Sequence, residues 1–164
     1  MFRLEKKNFK NKLELYEYMN NMLKHLISDE TDAIANLSNA ASLFGHIMPE
    51  INWAGFYLYR NNELVLGPFW GKPACTRITM GEGVCGTAAK FQKVQLVDNV
   101  DLFPGHIACD SASKSEIVLP IVKDGKLKAV LDIDSPILAR FNQEDKKGLL
   151  KAIDILQSIN WDMI

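Results

Sequence analysis

The chain has 164 residues, with 19 Lys and Arg against 20 Asp and Glu for a net charge of -1, and 48% of its residues are hydrophobic. That size and composition suit one soluble globular domain able to bury its own core. A charge so close to neutral excludes the strong field that would favour nucleic acid or an anionic membrane as a partner. No apolar stretch approaches membrane-spanning length, and no apolar core follows the lysine-rich start as it would in a signal peptide. The chain is therefore expected to stay in the cytoplasm.

Two helices are expected first. From Leu13, the apolar residues Tyr16, Met19, Met22, Leu23, Leu26 and Ile27 recur at helical spacing, and Asn11 with Glu14 can form a capping pair. "SDETD" breaks the pattern. Thr31 or Asp32 can then cap a second helix carrying Ile34, Leu37, Ala41, Phe44 and Ile47, which Pro49 ends. "NWAGFYLYR" alternates as a strand does and turns through "NNE" into "LVLGPFW". "VQLVDNV" reads as a short strand, and "EIVLPIVK", the turn "DG" and "LKAVLDIDS" form a second hairpin. "FNQEDKKGLLKAIDILQSI" closes the chain as a helix capped by Asn142, with Leu149, Ile153 and Leu156 on its stripe and Gly148 weakening it slightly. Helices first, hairpins next and a helix last predict an α+β fold, a mostly antiparallel sheet with helices on one face. A single domain results: helices over 1–49, sheet and site loops over 50–141, a helix over 142–164.

The second hairpin poses a question of register. A two-residue loop, Asp124 and Gly125, sets Glu116 opposite Ile133, whereas a three-residue loop from Lys123 to Gly125 sets it opposite Asp132 and Val118 opposite Val130. The second register places Ile117, Leu119, Ile121, Leu127, Ala129, Leu131 and Ile133 together on one face, and we prefer it for that segregation. Glu116, Asp132 and Asp134 then share the opposite face at one end of the hairpin. Three crowded carboxylates repel, so at least one is expected to hold its proton near neutrality. Such a group can donate a proton, and its ionised neighbours can bind an ammonium.

Trp53, Tyr57 and Tyr59 share a face of the first strand by period two. The three cysteines, Cys75, Cys85 and Cys109, form no C-x-x-C pair, and a zinc site would need His106 in an unusual geometry, so no metal is expected. Gly81, Gly83 and Gly86 in "GEGVCG" fit neither a P-loop nor a dinucleotide fingerprint, and no cofactor is expected.

Taken together, "NWAGFYLYR", "LVLGPFWGKPACTRI", "GEGVCGTAA", "FPGHIACDSASKSEIVLPIV" and "VLDIDS…RFNQED" resemble the free methionine-(R)-sulfoxide reductases, which are built on a GAF domain. The resemblance runs from about Asn52 to the last helix. It implies a six-stranded antiparallel sheet between helices, a homodimer, and a pocket for free methionine-(R)-sulfoxide on one sheet face. It also implies that Cys109 is the attacking thiol, Cys75 the resolving thiol and Cys85 a third member of the relay. Trp53, Tyr57, Glu116, Asp132 and Asp134 match pocket positions, and a thioredoxin-type dithiol would recycle the enzyme. Trp70 departs from the family's more usual "GPFQGK", which would bear on contacts at the pocket entrance.

Overall fold

A computed structural model describes residues 7–105 and 110–163. Helix α1 (Lys12–Ile27) starts where Asn11 accepts a hydrogen bond from the Glu14 amide, and helix α2 (Ala33–Ile47) where Asp32 accepts one from the Ala35 amide. Of the two candidate caps for the second helix, Asp32 takes the role. Strands β1 (Trp53–Arg60) and β2 (Glu63–Gly71) form the first hairpin, and β3 (Arg77–Thr79) pairs outside β2. Helix α3 (Gly83–Phe91) follows, then β4 (Gln95–Val97), β5 (Ser115–Lys123) and β6 (Lys126–Ser135). Helix α4 (Gln143–Leu156) opens with a capping box between Asn142 and Asp145. The six strands run antiparallel in the order β3-β2-β1-β6-β5-β4. Among the described residues no helix is long and apolar enough to cross a membrane.

The sheet separates two apolar clusters. On one face Ala54, Phe56, Leu58, Ile117, Leu119, Ile121, Ala129, Leu131 and Ile133 pack with α1, α2 and α4, as the α+β reading expects. On the other, Trp53, Tyr57, Leu64, Val118, Leu127 and Val130 pack with α3. Helix α3 and β3 are additions to the elements predicted from the sequence. Short and glycine-rich, "GEGVCGTAA" offers too little period to declare a helix, and only the sheet beneath it supplies an apolar face to cover.

The hairpin register needs correction. Lys123 pairs with Lys126, so the loop is the two-residue Asp124–Gly125, both at positive φ, as a primed turn requires. A bulge beside Ile121 and Val122 then shifts the pairing by one, setting Glu116 opposite Asp134 and Val118 opposite Asp132. The preferred three-residue loop is therefore wrong in its partners. Because the bulge restores the parity that the shorter loop removes, Glu116, Asp132 and Asp134 still share a face. Leu127 lies on the turn side of the bulge and joins the α3 cluster, not the cluster predicted for it. Trp70 pairs with Ala54, and its indole covers Gly45 of α2. It therefore sits on the helix-covered face, away from the pocket entrance where its departure was expected to act.

Candidate active site

A cavity opens on the α3 side of the sheet. Trp53 and Tyr57 line it from β1, Cys85 from α3, Glu116 from β5, and Asp132 and Asp134 from β6. Pro73 and Ala74 bound one side, Asp110 and Ser113 another, with Glu82 at the rim. Each predicted binding residue thus reaches one space. So does Cys85, while Cys75 packs partly buried against the same cluster. Cys75 is disulfide-bonded and Cys85 is a free thiol. Cys109 and His106 lie outside the described residues. Ala74, which precedes Cys75, and Asp110, which follows Cys109 in the sequence, both line the cavity.

Tyr59, at the far end of β1, is exposed and donates its hydroxyl to the side chain of Asn62. The aromatic wall of the cavity is Trp53 and Tyr57, backed by Phe69 against the Trp53 indole. The Trp53 indole stacks on Phe69 with ring centres 5.4 Å apart and on Tyr57 with ring centres 5.9 Å apart. Gly55 permits this, because a Cβ there would sit 2.4 Å from the Phe69 Cβ and 2.6 Å from the Trp53 ring. Trp53 Nε1 donates to the Lys72 carbonyl at 3.1 Å, which fixes the ring's orientation.

The acids are crowded and dry. Glu116 is 5% exposed and Asp132 is 6% exposed. Burial, then the charges of Asp132 and Asp134, push the Glu116 carboxyl well above the usual carboxylate range. Burial raises Asp132 to about 6, and burial followed by the Asp132 charge raises Asp134 well above its ordinary value. The Asp132 charge raises Glu116, whereas burial alone raises Asp132, so we place the proton on Glu116 and the charge on Asp132. Cys85 Sγ lies 3.8 Å from Glu116 Oε1. Burial and the charges of Asp132 and Glu116 push that thiol up, which leaves it protonated at neutral pH. Tyr57 is raised as well, by burial first and by Asp132 next.

One feature was not legible in the sequence. Asn52, just before β1, donates to Ser113 Oγ at 3.0 Å and to Asp110 Oδ2 at 3.3 Å. The Ser113 hydroxyl offsets part of the rise of the Asp134 carboxyl. Asp110 also accepts from the Ala112 amide at 2.9 Å and pairs with Lys72. The amide, then Asn52 and Lys72, hold its carboxyl below the usual range. This network ties the segment after residue 109 to the start of β1. No local pattern announces it, since its members are brought together only by the closed sheet.

A carboxyl holding a proton beside an ionised carboxylate, under an aromatic wall and next to sulfur, suits transfer of a proton to a small polar guest carrying a cation. Known proteins agree in fold and sequence. The GAF domain family matches residues 25–158. The chain is 48% identical to the free methionine-R-sulfoxide reductase of Escherichia coli over 91% of its length and 90% of that protein. It is 44% identical to the Saccharomyces cerevisiae protein of the same name, over 89% of this chain and 86% of that one. The free methionine-R-sulfoxide reductase of Neisseria meningitidis, solved in complex with its substrate, superposes with a TM-score of 0.91 at 40% identity, covering 96% of this chain and 94% of that one. The chain belongs to the GAF-domain family of the free methionine-(R)-sulfoxide reductases.

Proposed function

We propose that the chain reduces free methionine-(R)-sulfoxide to methionine with Cys109 as the attacking thiol. The convergence of Glu116, Asp132 and Asp134 beneath Trp53 and Tyr57 carries this reading. The ammonium of a free amino acid compensates the ionised carboxylates, and peptide-bound methionine lacks that charge. The aromatic wall suits the methyl and sulfur end of the guest.

In the first step the Cys109 thiolate attacks the sulfoxide sulfur while Glu116 gives its proton to the sulfoxide oxygen. The oxygen passes to Cys109 as a sulfenic acid, and two electrons from the Cys109 sulfur leave the substrate as a thioether. The Cys75 thiol then condenses with the sulfenic acid, forming a disulfide and water. That Cys75 is disulfide-bonded while Cys85 is free supports this pairing of roles. A thioredoxin-type dithiol returns both thiols. The protonated Cys85 fits a reserve position in the relay better than the attacking one. As the family resemblance implies, we take the working unit to be a cytoplasmic homodimer of a single-domain chain.

The test is stereospecific turnover with dithiothreitol as reductant, offering free R, free S and peptide-bound R sulfoxide. Wild type should release methionine from the free R form alone, and Cys109→Ser should abolish release. Binding of the R form without any release of methionine would identify a sensor and overturn the assignment.

A further inference from the structure

At the floor of the cavity, donor atoms of unlike chemistry converge from three elements. Cys85 Sγ on α3, a Glu116 carboxylate oxygen on β5 and an Asp132 carboxylate oxygen on β6 all lie within 4.8 Å of one another, and all three residues are buried. Asp132 Oδ1 is buried and accepts no hydrogen bond, although buried acceptors nearly always find a donor. A tetrahedral ion with sulfur at about 2.3 Å and oxygen at about 2.0 Å holds those two ligands about 3.5 Å apart. Cys85 Sγ and Glu116 Oε1 stand 3.8 Å apart, so a shift of a few tenths of an ångström would seat one.

We propose that Cys85, Glu116 and Asp132 form a binding site for a borderline-soft divalent cation of the zinc class. A thiolate with two carboxylates selects zinc or cadmium over magnesium and calcium, which prefer oxygen alone. The double positive charge also relieves the repulsion among the buried acids, as the ammonium of a substrate would. Three protein ligands leave a fourth position for water or a guest in the cavity that they line. Binding releases the Cys85 thiol proton and the carboxyl proton to solvent and changes no oxidation state. Occupancy blocks the acid pocket, so the ion is a reversible inhibitor of whatever cationic guest that pocket takes. The site stands on its own geometry, independent of the reductase assignment.

The test uses cadmium alone as probe on the full-length chain with its Cys75 disulfide intact, checked by a count of one titratable thiol per unfolded chain. Ultraviolet thiolate-to-cadmium charge transfer then reports on Cys85. Wild type should develop the band and saturate at one ion per chain, and excess magnesium should leave it unchanged. Glu116→Gln and Asp132→Asn should each weaken the midpoint about tenfold or more, with far-ultraviolet circular dichroism confirming their fold. Cys85→Ser should lose the band; should that variant not fold, the two carboxylate variants, which keep the thiol, decide the matter. Absence of the band in wild type, its displacement by magnesium, or equal midpoints in wild type and both carboxylate variants would overturn the site. None of these readouts depends on methionine sulfoxide turnover.

Discussion

Glu116 is the residue on which the proposed proton transfer turns. Glu116→Gln keeps the shape and the neighbours but removes the transferable proton. We expect kcat to fall about 10²- to 10⁴-fold with a far-ultraviolet spectrum unchanged from wild type. Unaltered kcat would move the donor's role to another acid. Cys85 makes a second residue-level prediction. In the oxidised chain its buried thiol, raised by Asp132 and Glu116, should be alkylated by iodoacetamide far more slowly at pH 8 than in the urea-unfolded chain. Asp132→Asn should speed that labelling. Much at this scale is legible from period two alone, which places Trp53 with Tyr57 and Asp132 with Asp134; that Glu116 joins those acids depends on the bulge beside Ile121 and Val122. Asn52 and Ser113 are not legible, because a lone Asn and a lone Ser acquire meaning only from the partner that folding supplies.

Between elements, packing overrides local preference at Gly148. Taken as helix propensity, this glycine only weakens α4. In the folded chain a Cβ there would lie 2.2 Å from the Tyr16 ring of α1, so the glycine is what lets the two helices approach. Gly148→Ala gains about 1 kcal/mol of helix propensity and loses more through overpacking against the ring. Urea unfolding should show a net destabilisation of about 1–2 kcal/mol. A buried carboxylate joins the same helices. Asp145 accepts from the Tyr16 hydroxyl at 2.8 Å, pairs with Arg140 and Lys12, and completes the α4 cap. Asp145→Ala leaves cations uncompensated and should cost about 3 kcal/mol or more by urea denaturation. The hairpin makes a similar point. The dipeptide "DG" announces its turn, whereas the bulge beside Ile121 and Val122 has no signature in the chain and changes every partner beyond it.

For the whole molecule, the acid cluster sets a pH dependence whose sign follows from Asp132. Its folded value of about 6 stands above its ordinary 3.8, so the folded chain holds a proton that the unfolded chain releases. That contribution is complete below 3.8 and is lost as pH rises through about 6. Asp110 and Asp145, held low, act in the opposite sense and lose their contribution as pH falls. The comparison to make is therefore between wild type and Asp132→Asn. The urea midpoint of wild type should fall between pH 4 and pH 7 relative to the variant, leaving the variant more stable at pH 7 by on the order of 1–3 kcal/mol. Parallel profiles would show that Asp132 does not carry the shift. A site that sacrifices stability to keep a proton in reserve is consistent with proton-transfer chemistry.

By itself the amino-acid sequence determined helices α1, α2 and α4 with their caps, the two hairpins and the α+β class. Those follow from period, capping and turn chemistry, which act over a few residues. The bulge beside Ile121 and Val122, which keeps Glu116 on the face of Asp132 and Asp134, came only with folding. Tertiary structure alone decided that α3 would cover the second sheet face and bring Cys85 against Glu116 and Asp132. It also decided that Trp70 would turn to α2, and that Asn52 would tie Asp110 and Ser113 to β1. These contacts join residues far apart along the chain, and their energies exist only once the sheet has closed and water has been expelled from between its layers.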